Sequence, residues 1–142
     1  MNDSYNKAYL AIDYGSKRIG VAKSDPMGII ASALTTLEVK SQKDALAKIL
    51  ALIEEYEPNG VVFGYPLLKS GDKSDKCIEI DKFINKLQEV YKGKLYRVDE
   101  NSSSIEATAI LHAHGQKIGK DKKRIDRLAA VIILERFLED LV

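Results

Sequence analysis

The sequence predicts an α/β protein built on a mixed five-stranded sheet, three antiparallel strands and then parallel crossover strands, flanked by helices. Three observations carry this. Two short apolar runs near the start are separated by turn residues, and a β-branched run follows them. From Ser41 onward, helical periodicities alternate with short strand-like runs, the pattern of βαβ crossovers.

Ala8 to Asp13 is a short apolar run closed by an acid, and Ile19 to Ala22 is a second, with Gly15-Ser16 as turn material between them. They read as a β-hairpin. Ile29 to Val39 follows the Asp25-Pro26 turn signal, and its β-branched residues make its central part a third strand. Ala45, Ile49, Leu52, Ile53 and Tyr56 then repeat at helical spacing behind Ser41, a candidate N-cap, and Pro58-Asn59-Gly60 stops that helix. Val61 to Gly64 is fully apolar, as a strand covered on both faces should be. A polar loop, Leu68 to Ser74, precedes a second helix with Ile80, Phe83, Ile84 and Leu87 on one face. Lys94 to Asp99 alternates as another strand. A third helix is expected from about Ser104 to Ala113, and a last from about Lys122 to Leu141 with Ile125, Leu128, Ala129, Ile132, Ile133 and Leu138 turned inward.

At 142 residues the chain can bury roughly two-thirds of its unfolded surface, enough for one core, and residues 1–142 read as a single domain. Hydrophobic residues at 45% and charged residues at 30% exclude disordered, collagenous and disulfide-built classes. Cys77 is the only cysteine, so no internal disulfide is available, and the helical position without an adjacent His marks it as structural or exposed. No apolar run approaches the roughly 20 residues that span a bilayer, and Met1 to Lys7 hold no apolar signal core. The expectation is a soluble cytoplasmic protein without a membrane partner. Lys plus Arg number 22 against 21 Asp plus Glu, a net charge of +1 that argues against a whole-surface polyelectrolyte.

The local distribution is more informative. Asp13 ends an apolar strand, where a carboxylate is costly unless it is paired, hydrogen-bonded or bound to metal. Position alone leaves open whether it caps the turn or binds a ligand. Asp99-Glu100 closes the last strand, and ligands of open sheets collect at the carboxyl ends of parallel strands. Adjacent strand residues point to opposite faces, so one of the two is expected to face Asp13. Asp126 lies near the start of the last helix, before the small pair Ala129-Ala130 that would let the helix approach the sheet; an acid there also simply suits the helix dipole. Together these carboxylates offer three or four oxygen ligands to Mg²⁺ or Mn²⁺. One such ion, or two about 4 Å apart, serves phosphodiester cleavage.

Phosphate needs positive charge beside the acids. Lys117 to Arg127 holds six bases, Lys117, Lys120, Lys122, Lys123, Arg124 and Arg127, against Asp121 and Asp126, and Lys17 and Arg18 follow the Asp13 turn. A charge run is ordinarily a solvated face, but this one adjoins a candidate metal ligand, which makes nucleic acid the expected partner. His112 and His114 point to different helix faces and lack a nearby Cys for zinc. Gly115 and Gly119 with Lys120 have neither P-loop spacing nor a preceding strand.

The segments Leu10 to Asp25, Ile30 to Leu37, Val61 to Leu67 with Lys69 to Gly71, Val98 to Glu100, and Ile125 to Leu134 run in order through a sequence that resembles the YqgF (RuvX) family of bacteria. That resemblance implies an RNase H-like fold related to the resolvase RuvC. It implies that Asp13, Glu100 and Asp126 form a metal-binding, catalytic triad, with Asp99 beside it. It also implies a nuclease for 5′-end maturation of pre-16S rRNA, a step of ribosome biogenesis, with Holliday-junction resolution on branched DNA as the alternative. Where the family has Arg and then Leu-Thr-Ser or similar after the acidic pair, this chain has Asn101-Ser102-Ser103-Ser104. Arg97, Arg18 and Arg124 are the candidates to replace that cation.

The leading expectation is therefore a Mg²⁺- or Mn²⁺-dependent phosphodiesterase on structured RNA, gripping backbone phosphates through Lys17, Arg18, Lys120, Lys122, Lys123, Arg124 and Arg127. Cleavage of branched DNA by a dimer and rRNA binding without cleavage are the competitors, and the chain is expected to be a monomer or homodimer. The Asp-x-Gly turn also occurs in actin-like ATPases, but those need two such domains around the nucleotide.

Overall fold

The computed structural model describes residues 8–99 and 122–141. Glu100, Asn101 to Ser104, the expected helix Ser104 to Ala113 with His112 and His114, and Lys117, Lys120 and Asp121 lie outside the described residues.

The hairpin forms as β1 (Tyr9–Asp13) and β2 (Arg18–Ser24), followed by β3 (Ala31–Glu38), α1 (Gln42–Tyr56), β4 (Gly60–Tyr65), α2 (Asp75–Val90) and β5 (Lys94–Asp99). The last described helix is α3 (Lys122–Asp140). The sheet order is β3-β2-β1-β4-β5. β1 pairs antiparallel with β2 and β2 with β3, while β1–β4 and β4–β5 are parallel. This is the mixed sheet expected from the element order.

β2 outruns its apolar centre because Arg18 and Ser24 continue the ladder to Glu38 and Ala31. Ile29 and Ile30 do not join β3. Their amides instead donate to Asp25 Oδ1 at 2.7 and 2.8 Å, closing a loop that leaves Met27, Ile29 and Ile30 exposed. At Ser41 the expected cap is present, its hydroxyl accepting from the Asp44 amide at 3.0 Å. Ser74 caps α2 in the same way, accepting from Cys77 at 3.2 Å.

Two apolar layers sandwich the sheet. On one face Leu10, Ile12, Val61 and Phe63 pack against Ala45, Ile49 and Ile53 of α1 and Cys77, Ile80, Phe83, Ile84 and Leu87 of α2. Cys77 is thus a buried member of this core and not an exposed thiol. On the other face Tyr9, Ala11, Ala22 and Val62 meet Ala130, Ile133, Leu134, Phe137 and Leu138 of α3. Each fully buried Ile, Leu or Phe here contributes about 1.5–3 kcal/mol relative to exposure. Ile125 and Leu128 are only half-buried, and Ala130, Leu134 and Phe137 are buried instead, because these three are among the residues that meet Tyr9, Ala11, Ala22 and Val62 of the sheet.

Strand alternation then decides where Asp13 points. Tyr9 and Ala11 face α3, so Asp13, two residues on, faces α3 as well. Gly20 is its cross-strand partner. At Gly20 a side chain would strike the Asp126 carbonyl, and the missing Cβ is what lets the start of α3 settle onto β2. Gly20 and Ala129-Ala130 together bring Asp126 over Asp13.

Candidate active site: a cleft of two carboxylates at the sheet end

A cleft of about 270 Å³ opens at the carboxyl end of β1. Its walls come from the β1–β2 turn, the first turn of α2 and the start of α3, represented by Asp13, Lys17, Arg18, Lys76 and Asp126. The turn is tight because Gly15 lies against the Arg18 carbonyl, a space no side chain can enter.

Asp13 is 7% exposed, and its Oδ1 atom is buried without a hydrogen-bond partner among the described residues. Burial pushes its carboxyl up to about 6; the Lys76 ammonium works against that rise and the Asp126 carboxylate adds to it. An ionised carboxylate left unpaired in this way costs several kcal/mol of solvation, on the order of the penalties measured for buried polar groups. Asp126 is positioned by a hydrogen-bonded ion pair from Arg18 Nε to its Oδ2 at 2.8 Å, both side chains being partly exposed. Two carboxylates from different elements, one with a buried unpartnered oxygen, are the donor chemistry that a hard divalent cation takes. Among the described residues no group of three His, Cys, Asp or Glu side chains lies close enough to hold a metal ion.

The predicted bases divide. Lys17 and Arg18 line the cleft. Lys123 and Arg127 instead fasten α3 to the sheet edge. The Lys123 ammonium pairs with Glu38 at 2.6 Å, its carbonyl accepts from the Thr36 hydroxyl at 2.6 Å, and Arg127 donates to Thr36 Oγ1 at 3.2 Å. Lys122 and Arg124 are exposed on the same turns. Arg97 is bound elsewhere, to Asp81 Oδ1 at 3.1 Å with its guanidinium over the Tyr65 ring. Of the candidate replacements for the family's cation, Arg18 is the one that lines the cleft.

Asp99 has the parity of Leu95, which packs toward α1 and α2, and its side chain is exposed. Its carbonyl accepts from Arg136 at 3.4 Å. Lys76 is a wall residue that sequence reasoning passed over; its one signal is a lysine in a helix's first turn, against the dipole. Gly20 was likewise an unremarked strand residue.

The RuvX family model, described as Holliday junction resolvase, matches residues 7–140. A protein of Koribacter versatilis named "Putative pre-16S rRNA nuclease" is 38% identical over 130 residues, 92% of this chain and 85% of that one. A Buchnera aphidicola protein of the same name is 39% identical over 127 residues, 89% of this chain and 92% of the other. Among solved structures, the fowlpox virus resolvase in complex with Holliday junction DNA aligns with a TM-score of 0.59 at 14% identity, over 95% of this chain and 99% of that one. Thermus thermophilus RuvC with its Holliday junction substrate aligns at 0.58 and 12%, over 96% of each. At those identities the likeness is one of fold, the RuvC-like RNase H fold. No helix among the described residues is long and apolar enough to cross a membrane.

Proposed function

The chain belongs to the RuvX family, and from that premise we propose that it is a divalent-metal-dependent nuclease of structured RNA, with pre-16S rRNA as substrate. The observation that carries the site assignment is the buried, unpartnered Asp13 oxygen beside Asp126 in a cleft rimmed by Lys17 and Arg18. Residues 1–142 act as one RNase H-like domain, and an rRNA precursor as substrate calls for a cytoplasmic enzyme.

Asp13 and Asp126 would hold the cation. Glu100, which lies outside the described residues, is the third ligand in this reading, as the resemblance to the family implies. A bound Mg²⁺ or Mn²⁺ supplies the positive charge that makes a water acidic near neutral pH and stabilises the departing oxygen. Asp13, ionised above about pH 6, lines the cleft and offers a carboxylate oxygen that no hydrogen bond among the described residues occupies. Arg18 orients Asp126 through its Nε and keeps its other guanidinium donors for a phosphate, a geometry to which the planar fork is suited. Lys17 and Lys120, with Lys122, Lys123, Arg124 and Arg127 of the last helix, supply the field that holds the flanking backbone.

Incubation of a pre-16S 5′ fragment with Mn²⁺ tests this directly. Wild type should release a discrete product that Asp13→Asn does not; identical products from both would remove the catalytic assignment. The family's description as Holliday junction resolvase supports a second reading, cleavage of branched DNA. That reading requires paired symmetric nicks on a four-way junction and a homodimer presenting two clefts, and a strictly monomeric protein at micromolar concentration contradicts it.

A further inference from the structure

Lys76 sits in the first turn of α2, where the helix dipole disfavours a cation, and it is half-buried there. The turn does not need it, since Ser74 already caps the helix. Among the described residues its ammonium makes no hydrogen bond and no ion pair within 4.0 Å. In particular it does not pair with Asp13, whose Oδ1 stays unpartnered although both line the same cleft. Simple neutralisation of Asp13 would have produced that pair.

A half-buried cation at a helix N-terminus, with no hydrogen bond or close ion pair among the described residues and only the longer-range attraction of Asp13, has donors to spare when an anion enters the cleft. Lys76 also arrives from a different direction than Arg18. Arg18 reaches across to α3 and is tied to Asp126, whereas Lys76 projects from α2, which covers the opposite face of the sheet. A phosphate standing at the end of β1 would therefore meet a cation from each side.

We propose that Lys76 contacts the substrate directly, its ammonium taking a non-bridging oxygen of the phosphate that Asp13 and Asp126 address. A lysine fits the task because its flexible stem and point charge follow a phosphate without demanding a fixed bidentate geometry. The contact is made in the bound substrate, so it acts on affinity more than on the chemical step. It rests on the nuclease reading above and adds a specific anchor to it.

The test compares Lys76→Met, which keeps most of the stem, with Lys76→Arg and with Lys86→Met, an exposed lysine of the same helix that serves as charge control. Affinity for the pre-16S 5′ fragment is measured in an Asp13→Asn background without divalent metal, and kcat and KM are measured in the otherwise wild-type enzyme. Lys76→Met should weaken binding and raise KM about 10-fold, the loss expected for one charge-assisted hydrogen bond, with kcat within about threefold. The slope of log affinity against log salt should fall by about 0.7, Lys76→Arg should recover most of the affinity, and Lys86→Met should shift it less than about twofold. Equal effects of Lys76→Met and Lys86→Met would overturn the proposal, as would a fall in thermal stability with RNA affinity unchanged. Cleavage that survives in Asp13→Asn would remove the catalytic assignment of Asp13, and no cleavage by wild type would overturn the nuclease reading, while the affinity comparison would still decide the role of Lys76.

Discussion

Replacing Gly20 with alanine probes how the two carboxylates are brought together. A Cβ on Gly20 would collide with the Asp126 carbonyl and stand 3.0 Å from the Arg127 amide nitrogen. Carbon atoms in contact need about 3.5–4.0 Å, and the Asp126 carbonyl is the tightest neighbour, so the start of α3 must retreat from β2 by about 1.5 Å. The helix is stitched to β3 through Thr36, Lys123 and Arg127, and it cannot slide without loosening those bonds. Overpacking of this kind costs about 1–3 kcal/mol, which at about 4 °C per kcal/mol lowers Tm by about 4–12 °C. The same movement carries Asp126 away from Asp13, and a 1 Å misplacement in a catalytic group costs about 10²-fold in rate. The assay is RNA cleavage at saturating Mn²⁺, about 20 °C below the variant's own melting point so that only folded enzyme is compared. Gly71→Ala separates stability from geometry, because Gly71 has φ 90° in an exposed loop with open space around it. That substitution strains the backbone and should lower Tm with the cleavage rate unchanged. A Gly20→Ala enzyme that cleaves within about threefold of wild type would refute the reasoning.

Two further outcomes follow from the charged groups. Burial raises the Asp13 carboxyl to about 6 from 3.8, so the folded chain binds this proton more tightly than the unfolded chain, and stability is lost as pH rises through the window from about 4 to about 6. The loss is about 3 kcal/mol from this group, and Asp13→Asn should recover about 1–3 kcal/mol in metal-free urea melts at pH 7 but little at pH 4. Asp81 behaves oppositely: burial would raise its carboxyl, but hydrogen bonds from Lys73, Tyr65 and Arg97 outweigh burial and hold it below the ordinary range. Its contribution is present at neutral pH and lost on acidification, so Asp81→Asn should cost about 1 kcal/mol at pH 7 by thermal melting and leave Mn²⁺-dependent cleavage intact.

Much of this was legible in the sequence because local chemistry and tertiary structure agree. Ser41 caps α1, Lys94–Asp99 alternates as β5, and the hairpin of Tyr9–Asp13 with Arg18–Ser24 closes over a glycine turn as its residues indicate. The third strand is the central part of Ile29 to Val39, as expected, because the Asp25 carboxylate captures the Ile29 and Ile30 amides and keeps them out of the ladder. The contacts of Lys123 and Arg127 with Glu38 and Thr36 were not legible, because a charge run carries no information about partners and those residues lie on a strand distant in sequence. Asp13 was identifiable as a charge closing a buried strand. Lys76 and Gly20 were not, since their importance exists only once α2 and α3 meet the end of β1.

The central claim, that Asp13 and Asp126 together form a divalent-cation site, is tested most directly by Mn²⁺ titration of the RNA-free protein, followed by electron paramagnetic resonance at pH 7.5 and at pH 5. Wild type should bind Mn²⁺ at pH 7.5, bind about 10-fold more weakly at pH 5 as Asp13 takes up its proton, and lose binding by about 10-fold or more at pH 7.5 on Asp13→Asn. Equal Mn²⁺ affinity in wild type and Asp13→Asn at pH 7.5 would contradict it.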